Sequence, residues 1–132
     1  MYDTYMEKNL AFTFNPGTVD QAAALIYRWE IKDAAGELKG LYIGKAKAGG
    51  GRPLKHYKLN VKRLLAGKPY RASNPDGFRK SHRALADAVR NGYSVTLSFV
   101  CNIAQGESID FVEQSLIAQH GCCGEAAWQL NQ

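Results

Sequence analysis

Glu113 is the residue whose position most needs a chemical reason. A helix over 106–120 would carry Ile109, Val112, Leu116 and Ile117 as an apolar stripe, and Glu113 falls inside that stripe. Burying an unpaired carboxylate costs on the order of several kcal/mol, so a cation, hydrogen bonds or a metal ion must compensate it. Asp110 and Glu107 lie further round and read as solvated acids. Upstream stand Tyr27, the triplet Tyr42-Ile43-Gly44, then Arg52 and His56, with Asn131 late in the sequence. These types suit phosphodiester hydrolysis, in which water must lose a proton and charge must be stabilised on the phosphoryl and leaving oxygens. A tyrosine of depressed pKa can act as base if cations or a metal stabilise its phenolate, and Lys39 or Lys45 would supply that field. Arginine can fork two phosphate oxygens, and a carboxylate can hold a divalent ion. Singly, each residue has a plainer reading: a packing aromatic, a surface histidine, a frayed asparagine, or an acid paired with a buried arginine.

The charge distribution favours a polyanion. Residues 45–90 hold thirteen of the seventeen Lys and Arg but only two of the twelve acids, Asp76 and Asp87, so that segment is +11 and the rest −6. Charge serving solubility alone would be spread; concentrated charge points to phosphate neutralisation. The competing reading is a solvated basic helical face. Candidate nucleic-acid contacts are Lys45, Arg52, Lys55, Lys58, Lys62, Arg71, Arg79, Lys80, His82 and Arg83. The three cysteines, Cys101, Cys122 and Cys123, make a poor disulfide framework and fit reduced thiols. His120, Cys122 and Cys123 lack a fourth ligand at zinc spacing. No run approaches a membrane span, and Met1 to Leu10, with Asp3 and Glu7, lacks the apolar core of a signal peptide. A cytoplasmic protein is expected, with no membrane partner.

The elements that must position these residues follow from periodicity. With 132 residues the chain is expected to form one domain over 1–132, an arm over 1–20 and a core over 25–131. Phe12 and Phe14 would anchor the arm before a turn at Asn15-Pro16-Gly17. Alternation over 25–32, a turn at 33–36 and a short strand over 40–44 predict an antiparallel hairpin that brings Tyr27 near Tyr42 if the register allows. A helix from Pro53 to about Ala66 follows, packed through Leu54, Leu59, Val61, Leu64 and Leu65, with Arg52 at its cap because proline disfavours a helical predecessor. Gly49 to Gly51 would be a phosphate cradle at that helix end or a mobile loop. A helix over 77–91, a strand over 93–102 and the helix over 106–120 complete the order β-β-α-α-β-α. The predicted class is α/β in the α+β sense: a small, mainly antiparallel, three-stranded sheet flanked by helices.

The ordered set of Tyr27, Tyr42-Ile43-Gly44, Arg52, His56, Glu113 and Asn131 resembles the GIY-YIG nuclease family, over nearly the whole chain. The run Tyr42 to Lys47 also resembles the excision-repair branch of that family. Leu25 stands where the family has the first glycine of its name, which bears on local backbone geometry more than on reacting groups. The resemblance implies a DNA endonuclease with catalytic Tyr27, Tyr42, Arg52, His56, Glu113 and Asn131. It implies one Mg²⁺ or Mn²⁺ ion on Glu113, a tyrosine base, for which Tyr27 is slightly favoured, and Asn131 as an orienting group. The alternative is an inactive nucleic-acid-binding module; a third reading is a basic domain for an acidic protein partner. A homodimer for double-strand cleavage, or a partner supplying specificity, is left open.

Overall fold

The computed structural model describes residues 10–132. Residues 1–9, and with them the reading of Met1 to Leu10 up to its last residue, lie outside that range. The elements are β1 (Thr13–Asn15), β2 (Leu25–Lys32), β3 (Leu38–Ala46), α1 (Gly51–Leu65), α2 (Lys80–Asn91), β4 (Ser94–Asn102) and α3 (Ile109–His120). The class is α+β, as predicted. The sheet has four strands rather than three, in the order β1-β4-β2-β3. The additional strand, β1, runs parallel to β4; at three residues it is too short to show a period. Phe12 just before it and Phe14 within it anchor the arm as expected, edge-on to Trp29 and to Phe99.

Strand alternation divides the core between the two faces of the sheet. On one, Leu25, Tyr27, Trp29, Ile31, Leu97 and Phe99 are buried with Tyr57 and Val61 of α1 and Leu85 of α2. On the other, Ile26, Leu41 and Ile43 are buried with Ile117 of α3 and Cys122. Leu25 is an ordinary core residue here, fully buried and paired with Ala46 and Asn102. Leu59, expected to pack, is 41% exposed. The inward stripe of α1 runs instead through Pro53, Tyr57, Asn60 and Val61.

Several element starts differ from the periodic reading, three of them for a hydrogen-bonding reason. Strand β3 runs beyond 40–44 at both ends because it pairs with β2 as far as Leu38 and Ala46. Helix α2 begins at Lys80, not Gly77. The preceding loop spends its peptide groups internally: Tyr70 N–H donates to the Pro75 carbonyl, and Arg71 and Asn74 exchange bonds. Helix α3 begins at Ile109, not Gly106, because the Ser108 hydroxyl accepts the Phe111 N–H and the Glu107 carboxylate accepts that of Ala104. Among the described residues no helix is long and apolar enough to cross a membrane.

Candidate active site

The site is built on β2 and β3. Opposed residues of an antiparallel pair share a face, and the register sets Tyr27 against Gly44 and Trp29 against Tyr42. The two tyrosines are therefore diagonal neighbours, with ring centroids 6.2 Å apart. Gly44 makes this possible. A Cβ there would lie 2.4 Å from Cζ and Oη of Tyr27, so only glycine lets that ring cross β3. The Tyr-Ile-Gly spacing thus puts a phenol and a ring-sized gap on one face, while Ile43 enters the core on the other.

The strand β3 forms one edge of the sheet, and the C-terminal segment covers it. Leu41 N–H donates to the Trp128 carbonyl, and Leu130 N–H donates to the Leu41 carbonyl. Asn131 then acts as a substitute peptide group. Its Oδ1 accepts the Ile43 N–H at 3.0 Å, and its Nδ2 donates to the Ile43 carbonyl at 2.7 Å. The buried Cys122 thiol also donates to Asn131 Oδ1, at 3.1 Å. Asn131 therefore fixes the backbone between Tyr42 and Gly44. It orients the site by hydrogen bonding.

A cavity of about 400 Å³ opens on this face, lined among others by Tyr27, Tyr42, Lys45, Arg52, His56, Arg79 and Glu113. Five of the six predicted catalytic residues meet there. Asn131 lines a neighbouring cavity of about 260 Å³. Arg52 and His56 are four apart on α1 and share a face. Arg52 is not held outside the helix. It lies in the first turn, where backbone N–H groups have no intrahelical acceptor, so Pro53 removes nothing the helix uses. The preceding glycines are neither a free cradle nor a loose loop. Gly50 N–H donates to the Gln21 carbonyl at 2.9 Å, and a Cβ on Gly50 would lie 2.3 Å from the Phe99 ring.

Glu113, on α3, is half-buried, and its carboxyl pKa is raised, first by burial and also by Asp110, against the opposing pull of Lys45. Its side-chain hydrogen bond is a long one, 3.5 Å from Gln114 Nε2. The Lys45 ammonium pairs with Asp110 instead. Among the described residues Glu113 is the only acid lining the larger cavity, and no group of three His, Cys, Asp or Glu gathers for a metal ion. A single carboxylate with spare acceptor capacity fits a hard divalent ion that keeps water and phosphate oxygens as its other ligands.

Several expectations need correction. Tyr27 is 5% exposed, and burial, then Tyr57 and Tyr42, hold its phenol far above the usual tyrosine range, which is the wrong direction for a base. Its Oη shares a hydrogen bond of 3.3 Å with Tyr57 Oη. Lys39 pairs with Asp33 and Glu37 at the hairpin turn, away from the phenols. His82 is buried in the core rather than presented to nucleic acid, and its Nδ1 accepts the Arg79 N–H. Lys80 Nζ is engaged by the carbonyls of Ala126 and Gln129. Arg83 donates to the Asp76 carbonyl and lies over Phe78. Lys55, Lys58 and Lys62 are on α1 but do not line the cavity, whereas Lys45, Arg52, Arg71 and Arg79 do.

No family model, curated protein or solved structure matches the chain. The cavity geometry therefore carries the functional argument. Two of its residues were not expected there in their observed roles. Tyr57, buried beside Tyr27, follows from the helical spacing of Pro53, Tyr57 and Val61. Arg79 faces Tyr42, Tyr57 and Tyr27, which no sequence spacing reveals.

Proposed function

We propose that the chain is a divalent-metal-dependent endonuclease that hydrolyses DNA phosphodiester bonds. The observation that carries this reading is the meeting of Tyr42, Arg52 and Glu113 on one cavity rich in cations and holding, among the described residues, a single acid. Arg52 binds two oxygens of the scissile phosphate and stabilises charge as it develops there. Glu113 would hold one Mg²⁺ or Mn²⁺, which supplies charge to the phosphate and the leaving oxygen. Tyr42, half-exposed and next to Lys45 and Arg79, takes the proton of the attacking water. His56, exposed on the same wall, relays that proton outward. Tyr27 stays protonated; its edge-on ring and its bond to Tyr57 hold Tyr42 in place. Asn131 keeps the backbone beneath Tyr42 fixed. The free cysteines suit a reducing compartment, and we assign the protein to the cytoplasm.

The test is incubation of supercoiled plasmid with the protein and Mg²⁺ or Mn²⁺, beside a Glu113→Gln protein. Expected is nicked or linear DNA from the native chain and a loss of at least about 100-fold in rate for the variant. Binding without cleavage by the native chain would sink the enzymatic reading and leave a nucleic-acid-binding module.

A further inference from the structure

Among the cations of the loop before α2 and its first turn, Arg79 differs from its neighbours in what surrounds it. Lys80 is tied to two carbonyls, Arg83 to one carbonyl and the Phe78 ring, and Arg71 lies over Tyr70. Arg79 is in none of the ion pairs formed among the described residues. Yet its backbone is tightly fixed as the N-cap of α2. Its N–H donates to His82 Nδ1 at 3.1 Å, and its carbonyl accepts the Arg83 N–H at 3.2 Å. His82 is a dependable acceptor near neutral pH, because burial, then Arg79, brings its pKa down to about 4.

The guanidinium faces the phenols of the site. Among the described residues, Tyr42, Glu113 and Arg79 line both cavities. Arg79 therefore stands where the two spaces meet, beside the residues assigned here as base and metal ligand. Arg52 lines only the larger cavity and comes from a different helix. The guanidinium, charged at any working pH, faces the neutral phenols of Tyr42, Tyr57 and Tyr27.

We propose that Arg79 is a catalytic residue of this site, its guanidinium contacting the scissile phosphate together with Arg52. The inference rests on the nuclease reading above. A phosphate oxygen carries growing negative charge as water attacks. A guanidinium carried on a fixed backbone at the cavity wall can reach that oxygen and stabilise the charge as it grows. Two guanidiniums from separate helices hold the phosphate from two directions, and Glu113 stays free for the ion. Lysine would be a poor substitute, because a point charge cannot reproduce the planar fork.

Cleavage kinetics on a fluorescently labelled DNA duplex with Mn²⁺ test this for the native chain, Arg79→Gln and Arg79→Lys. Lys32→Gln is the control, since Lys32 pairs with Glu30 and lines neither cavity. Circular dichroism and thermal melting report whether each variant folds. Expected for Arg79→Gln is a fall in kcat of about 100-fold or more, with KM changed less than about threefold and an unaltered melt. Arg79→Lys should recover less than about a tenth of native kcat. A kcat within about threefold of native, or a loss confined to KM, would overturn the proposal and leave Arg79 a general nucleic-acid contact. If Arg79→Gln does not fold, native kcat in Arg79→Lys overturns it equally. A native chain that cleaves nothing removes the nuclease reading itself, a result distinct from an active chain indifferent to position 79.

Discussion

At the scale of single residues, two tyrosines of similar sequence standing have different chemistry. Tyr27 is enclosed by Tyr57, Tyr42 and Trp29, so its hydroxyl pairs with another phenol rather than with a cation. Tyr42 reaches the junction of the two cavities and is half-exposed. Removing each hydroxyl should therefore have opposite consequences. Tyr42→Phe should lower the cleavage rate by about 100-fold or more, the usual worth of a general base, with little change in stability. Tyr27→Phe should cost about 1 kcal/mol of stability and less than about tenfold in rate. Urea denaturation and cleavage assays on both proteins would check this; a silent Tyr42→Phe with an inactive Tyr27→Phe reverses the assignment. The residue types at both positions were legible in sequence, but not which phenol meets water, because that depends on packing from α1 and α2.

At the scale of elements, the start of α2 and the edge of β3 carry the site, and each is held by one buried side chain. The N-cap of α2 depends on a neutral imidazole at His82. In the unfolded chain this group titrates near its ordinary 6.5, and in the fold near about 4. Between those values the unfolded state binds the extra proton, so stability rises with pH across that window. The contribution of about 3 kcal/mol is complete above about pH 6.5, falls as pH drops, and is gone by about pH 4. Urea midpoints at about pH 7 and about pH 4.5 should show His82→Gln losing about 2 kcal/mol less than the native chain on acidification. Equal losses would contradict the buried, neutral state of His82. The helices and the hairpin were legible from periodicity, and α2 and α3 close at Gly92 and Gly121 as expected. Their starting residues were not, because side-chain acceptors such as His82 Nδ1, the Ser108 hydroxyl and the Glu107 carboxylate decide them. Asn131 was legible as a residue to watch, but its role required knowing that β3 is an edge.

At the scale of the whole molecule, the basic segment does not act as one uniform face. Lys80 and Arg83 satisfy carbonyls and Lys45, though on the cavity wall, satisfies Asp110, while Lys47, Arg52, Arg71 and Arg79 line the cavity outside any ion pair among the described residues. Fewer phosphates should therefore be neutralised than the charge of +11 over residues 45–90 suggests. With about four such contacts, the slope of log affinity against log salt should be about −3.5, a loss of about 100-fold between about 50 and about 200 mM. Fluorescence anisotropy with the Glu113→Gln protein would measure it. A slope near −10, as the full basic segment would give, would show that the α1 lysines also take part.

By itself the sequence determined the α+β class, the hairpin, the three helices and the short set of chemically capable residues. These follow from period, glycine placement and residue type, which are local properties. The tertiary structure alone decided the fourth strand, the buried place of His82, the protonated state of Tyr27 and the position of Arg79 among the phenols. Those depend on which surfaces meet across long separations in the chain, and on the water that such contacts exclude.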